Sequence, residues 1–215
     1  MKAIVAGVDP DATPGVGPWQ GPWPEGAWWD PALLAEGDHR NVVDRYRYWS
    51  LDAIVADLDT RRHPFHVAIE NFGHDFNIGS VVRTANAFLA AEVHIVGRKR
   101  WNRRGAMVTD RYQHVHHHED AAELAQWCCA HELTVIGIDN VPGSIPLETA
   151  DLPLRSVLLF GQEGDGLSPL AQEHCTSVLS IAQFGSTRSI NAGAAAAIAM
   201  HAWIRRHAFG QQPES

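Results

Sequence analysis

From Pro64 onward short apolar runs alternate with amphipathic segments, and no other feature constrains the fold of this chain as strongly. Runs rich in Val, Ile and Leu at 66–70, 93–97, 133–139, 157–160 and 177–181 predict strands. The segments 78–90 and 119–132, a short stretch after Ser168-Pro169, and 189–207 carry apolar residues at helical spacing. Strands separated by helices pair in parallel, so the chain is expected to be α/β, a mostly parallel sheet with helices on both faces. Ligands of such sheets bind beyond the carboxyl ends of the strands. Here those ends open into loops after Glu70, Phe160 and Ile181.

The portion before Pro64 reads differently. Residues 1–35 are rich in Pro, Gly and Trp, a composition that opposes regular structure and predicts an irregular arm. Between 39 and 62 apolar residues recur at spacings of three and four, predicting two short amphipathic helices divided near Ser50. The expected organisation is an arm with short helices over 1–64, a short N-terminal extension, and the α/β domain over 65–210. No apolar run approaches the roughly 18 residues of a membrane span, and the first ten residues lack a secretory signal. A cytoplasmic protein with no membrane partner is expected. Cys128, Cys129 and Cys175 form no CxxC pair and read as core thiols.

Each of the three loops carries a motif. Asn77 stands where a helix should begin, with Ile78, Val81, Val82, Ala85, Phe88 and Leu89 on its core face and Gly79, Arg83 and Asn86 opposite. Taken alone, Arg83 reads as a solvated arginine. After Phe160 comes Gly161-Gln162-Glu163-Gly164-Asp165-Gly166-Leu167-Ser168, whose glycines let backbone approach a flat ligand closely. This loop lacks the Lys-Ser/Thr ending of a phosphate loop and the GxGxxG order of a dinucleotide site. Glu163 alone reads as a surface acid. After Ile181 and Gln183, Ser189-Ile190-Asn191 enters a helix, placing Ser189 and Asn191 in its cap and first turn. The Ala/Gly run that follows predicts close packing.

Together, the order and placement of Asn77-Ile78-Gly79 with Arg83, of Gly161-Gln162-Glu163 with Gly166-Leu167-Ser168, and of Gly185 with Ser189-Ile190-Asn191 resemble the three signature motifs of the SpoU (TrmH-like) branch of the SPOUT superfamily of RNA ribose 2′-O-methyltransferases. The resemblance covers about 66–207; Ala182 departs from it, standing where the family usually has proline. It implies a carboxyl-terminal trefoil knot, an obligate homodimer, and S-adenosyl-L-methionine as cofactor. The cofactor would be held by Phe160, Gly161, Gln162, Glu163, Gly166, Ile181, Gln183, Ser189 and Ile190. Arg83, Asn77, Glu163, Ser189 and Asn191 would form the catalytic set, with Arg83 of one subunit completing the site of the other.

The formal charge is −8, unfavourable for binding RNA unless the basic residues cluster. They do: Arg98, Lys99, Arg100, Arg103, Arg104 and Arg111 fall in one stretch with Trp101, and only Asp110 opposes them. This stretch is the expected RNA contact. His114, His116, His117 and His118 invite a metal reading, but no cysteine or fourth ligand accompanies them and strand alternation separates their faces, so no metal is expected. Transfer RNA is favoured over ribosomal RNA because the arm lacks a compact α/β RNA-binding extension. The alternative is a catalytically idle RNA-binding protein on the same fold, which would be expected to lose Arg83 or the loop glycines.

Overall fold

The computed structural model describes residues 15–73, 77–162 and 164–211. These fall into two compact units divided between Asp57 and Leu58.

In the first unit, helix α1 (Pro31–Glu36) begins where Asp30 accepts from the Ala32 amide at 2.9 Å and Pro31 occupies the first turn. The expected helix over 39–49 does not form; only a single 3-10 turn, Asp44–Tyr46, appears there. Side chains bond to backbone carbonyls of this stretch instead. The Arg40 guanidinium bonds Trp49 O at 2.8 Å, and Arg47 bonds Arg40 O at 2.7 Å. Arg40 is itself held by the fully buried carboxylate of Asp38, at 2.7 Å. That carboxylate also accepts from the Tyr48 amide at 2.9 Å. Burial alone would raise the Asp38 carboxyl, but the bonds from Arg40 and Tyr48 outweigh it and hold the group at about 2. Trp19, Trp28, Trp29 and Trp49 pack as ring pairs 5.0 to 6.0 Å apart within this unit. Helix α2 (Leu51–Asp59) follows and crosses the division.

The second unit is built on seven strands: β1 (His66–Asn71), β2 (Val93–Gly97), β3 (Val115–His118), β4 (Thr134–Ile138), β5 (Ile145–Pro146), β6 (Ser156–Phe160) and β7 (Ser177–Ser180). They lie in the order β3-β2-β1-β6-β4-β7-β5, every pair parallel. Strand alternation divides the side chains between two cores. Val67, Ile69, Ile136, Ile138, Leu158 and Phe160 face helices α3 (Ile78–Ala87) and α6 (Ala192–His207). Ala68, Val135, Val157 and Leu159 face α4 (Ala121–Ala130) and α5 (Pro169–His174). The two-sided α/β architecture expected from the alternation is therefore present, and burial on both faces explains why the strands read as continuous apolar runs.

Three local expectations are corrected. Gly79 does not share an open face with Arg83. It is buried where Gly105 and Ala106 press on α3, and a Cβ there would meet the Ala106 amide at 2.7 Å. Cys129 is exposed rather than a core thiol, whereas Cys128 is buried and Cys175 half-buried, and burial pushes both of those thiols up to about 12. The last helix starts at Ala192, so Ser189 lies in the loop before it.

Candidate active site

The site lies at the carboxyl ends of β6, β4 and β7, which are neighbours in the sheet. A cavity of about 500 Å³ opens there. Phe160, Gly161, Gln162, Gly166, Ile181, Gln183, Ser189 and Ile190 all line it, so the structure brings together every described residue of the expected cofactor set. Glu163, which had both a cofactor and a catalytic assignment, lies outside the described residues.

The glycine loop is shaped from within and fixed at both ends. Gln162 and Gly166 exchange backbone hydrogen bonds of 3.0 Å, closing the loop on itself. Only glycine suits its two ends. A Cβ at Gly161 would stand 2.0 Å from the Gly166 carbonyl carbon, and Gly166 has φ of 70° with Asp139 Oδ2 2.3 Å from where its Cβ would be. Asp139 accepts from the Leu167 amide at 2.7 Å, tying the loop to β4. Ser168 ties it to β1: its amide and hydroxyl donate to the fully buried Glu70 carboxylate at 2.8 and 2.6 Å. The same Ser168 oxygen caps α5 by accepting from Ala171 N at 3.1 Å.

The first and third motifs meet directly. Asn191 caps α6, its Oδ1 accepting from Gly193 N at 2.9 Å and Ala194 N at 3.2 Å, while its Nδ2 donates to Asn77 Oδ1 at 2.9 Å. Asn77 stands at the start of α3 but makes no side-chain cap, because its amide oxygen is turned to Asn191 instead. Asn191 lines the cavity and Asn77 does not. Arg83 is exposed on α3, away from the lining of this chain's own cavity, and has no hydrogen-bond or ion-pair partner among the described residues. Of the expected catalytic set, then, one chain brings Ser189 and Asn191 into the cavity and leaves Arg83 outside it.

Sequence reasoning missed Asp139, Asn140 and Val141, which line the cavity after β4, and Arg188, whose carbonyl accepts from Asn140 Nδ2 at 3.2 Å. The available signal was an acid at the end of a predicted strand. That β4 lies between β6 and β7 has no local signature.

The six basic residues are all exposed between β2 and β3, and none lines the cavity. Asn71 at the end of β1 anchors this segment, donating to the carbonyls of Arg98 at 2.5 Å and Arg100 at 3.0 Å. The 3-10 turns Arg103–Ala106 and Thr109–Tyr112 both pack on α3, the helix that carries Arg83. Arg103 lies 5.5 Å from the Trp101 ring and 3.5 Å from Asp110. Between the turns, exposed Met107 and Val108 take left-handed φ of 47° and 69°, giving the segment an apolar tip.

Parallel strands wound with helices on both faces, and a glycine-shaped cavity at a carboxyl edge, define an α/β ligand-binding protein of the doubly wound class. The SpoU rRNA Methylase family matches residues 64–201, and the chain belongs to it. An uncharacterised tRNA/rRNA methyltransferase of Mycolicibacterium vanbaalenii is 31% identical over 179 residues, 78% of this chain and 56% of that protein. The chain thus spans little more than half that relative's length. Among solved structures, the TrmH/SpoU tRNA modifying enzyme of A. aeolicus aligns with TM-score 0.65 at 19% identity, over 74% of this chain and 84% of that one. The SpoU methyltransferase AviRb of Streptomyces viridochromogenes, in complex with AdoMet, aligns with TM-score 0.61 at 24% identity, over 72% and 62%. Both likenesses bear on the fold, and both agree with the parallel α/β sheet described above.

Proposed function

We propose that this chain is an S-adenosylmethionine-dependent methyltransferase that modifies a ribose 2′-hydroxyl of RNA in the cytoplasm, with transfer RNA favoured over ribosomal RNA. The observation that carries the reading is the cavity, lined by the loops of the second and third motifs, in a member of the SpoU family. Transfer RNA is favoured by likeness to a tRNA modifying enzyme.

The residues present fit the cofactor. Gly161, Gly164 and Gly166 line one wall, where the loop's tight closure on itself and on Asp139, and the open space at the Cβ position of Gly164, could let a flat ring system lie close. Gln183 lines the cavity with its Oε1 buried and without a donor, an acceptor for an amino group of the ligand. When bound, S-adenosylmethionine supplies an electrophilic methyl on sulfur. The chain's own residues hold the partners in line, since a ribose hydroxyl attacks productively only from a narrow range of positions. Asn191 and Ser189 position the loop and substrate, while Asn77 fixes Asn191. Arg83 donates hydrogen bonds to the 2′-oxygen and the adjacent phosphate, and the hydroxyl proton leaves to that phosphate or to water. The knot and the homodimer implied by the motifs belong to the same reading, in which Arg83 reaches the cavity of the partner subunit.

Calorimetry with S-adenosylmethionine tests it first. Saturable binding is expected, and no heat at millimolar cofactor would overturn the assignment. Mapping 2′-O-methyl groups in RNA from cells lacking the protein then identifies the substrate. Loss from transfer RNA is expected, and loss confined to ribosomal RNA would reverse that preference.

A further inference from the structure

At the opposite end of the sheet from the cavity, the starts of three adjacent strands place an unusual set of side chains on one face. His66 is the first residue of β1 and His94 the second of β2. Glu92 immediately precedes β2, and its carbonyl accepts from the Val67 amide at 3.1 Å, which puts it beside His66. His94 pairs in register with His116 on β3. Alternation therefore directs His66, Glu92, His94 and His116 to the same side. There the Trp127 indole of α4 covers them, with ring centroids 4.5 Å from His94 and 5.5 Å from His66.

We infer that His66 Nδ1, His94 Nε2 and Glu92 Oε2 form a binding site for a divalent transition-metal cation of the zinc type, which staples β1 to β2. The distances suit it. His66 Nδ1 is 3.1 Å from His94 Nε2 and 3.6 Å from Glu92 Oε2, and all three atoms lie within 4.8 Å of one another. Bonds of about 2.0–2.1 Å in a tetrahedron set ligand atoms about 3.3 Å apart, between those two separations. Glu92 Oε2 is buried and accepts no hydrogen bond, although His66 and His116 are both near, an orphan that a cation at the centre of the triad would satisfy.

The surroundings provide the rest of a metal site. His66 and His94 are both buried, and a neutral imidazole offers one ring nitrogen as a ligand. With its Nε2 on the cation, His94 carries its proton on Nδ1, which lies 2.9 Å from His118 Nε2; that bond orients the ring as an outer partner commonly does. His116 Nε2, 3.2 Å from Glu92 Oε2, stands at the half-exposed rim where a cation would enter. Two imidazoles with a single carboxylate favour zinc, cobalt, nickel or iron over calcium or magnesium. The competing arrangement is a chain of neutral histidines hydrogen-bonded to one another, in which one of the two facing nitrogens carries a proton.

Titration of the tag-free full-length chain with cobalt(II) chloride, followed by its visible absorption and by displacement with zinc chloride, separates the two. Cobalt is expected to bind at one equivalent with tetrahedral absorption bands and to raise the thermal midpoint. Glu92→Gln, which preserves volume, is expected to weaken binding by at least about tenfold, given that even outer-shell losses cost that much. His66→Gln should do the same, and serves if the first variant fails to fold. His174→Gln, at an exposed position on α5, should leave affinity unchanged. Absent tetrahedral bands, or equal affinity in the folded wild type and both ligand variants, would establish the hydrogen-bonded histidine chain and overturn the site.

Discussion

At position 83 a guanidinium stands exposed on α3 without a partner among the described residues. Arginine is a poor base at physiological pH, so its value at a methyl-transfer site is as a fork of donors that can hold a 2′-oxygen and a phosphate together. Arg83→Ala is accordingly expected to lower the methylation rate by at least about a hundredfold, the scale on which losing one preorganised donor is felt. The dissociation constant for S-adenosylmethionine should stay within about twofold, because Arg83 is assigned to the 2′-oxygen and phosphate of the RNA and not to the cofactor. Single-turnover assays with calorimetry on the same variant check both halves, and retained turnover would remove Arg83 from the chemistry. Asn191 shows why the third motif was readable: a single side chain caps α6 and bonds Asn77, so its local signature as a cap and its place in the site coincide. Glu70 gave no such warning. Its carboxylate is fully buried on Ser168, nearly a hundred residues later in the chain, and sequence spacing says nothing of that pairing.

At the scale of elements, the glycine loop and the basic segment are the two most testable pieces. Gly161→Ala places a methyl 2.0 Å from backbone that cannot yield without moving the loop. The expected cost is about 1–3 kcal/mol of stability, with S-adenosylmethionine binding weakened at least about tenfold. Thermal melts and calorimetry measure the two effects, and wild-type affinity would mean that the loop does not shape the cavity for the cofactor. For the basic segment, replacing Arg100, Arg103 and Arg104 by alanine should flatten the dependence of log affinity for RNA on log salt by up to about two units. Each phosphate contact contributes about 0.7 to 0.9, and Arg103 already leans on Asp110. An unchanged slope in filter-binding assays would place the RNA elsewhere. Strands β1, β2, β4 and β6 were legible because they are buried on both faces, and the helices because each carries one apolar stripe, whereas the more exposed edge strands β3 and β5 left no such run. The order of the strands was not. The insertion of β4 between β6 and β7, which brings Asp139 to the glycine loop, depends on long-range packing that no local pattern encodes. In the first unit the helical spacing over 39–49 misled, because the stretch is tied instead by the buried Asp38 carboxylate and by Arg40 and Arg47 bonds to its backbone. Likewise, nothing in the histidine run 114–118 signals that His66, Glu92 and His94 gather near His116 at the start of the sheet.

For the whole molecule the decisive question is whether one chain suffices. The cavity collects the second and third motifs, while Arg83 of the first stays outside its lining. If Arg83 serves the partner's cavity, two differently damaged chains can repair each other. In a heterodimer of Arg83→Ala with Gly161→Ala, one site joins both lesions and is dead. The other pairs the intact Arg83 of the Gly161→Ala chain with the intact cavity of the Arg83→Ala chain. Random exchange of equal amounts makes half the dimers mixed, each with one working site of two, so with S-adenosylmethionine held well below the Gly161→Ala dissociation constant activity should recover to about a quarter of wild type. If Arg83 instead serves its own cavity, each chain of the mixed dimer carries a lesion in its only site and mixing restores nothing. Methylation assays on variants mixed under partial denaturation and refolded, beside each variant refolded alone, distinguish the outcomes. Sedimentation of the refolded mixture verifies that dimers formed, so that absent recovery in a dimeric sample would overturn the shared site.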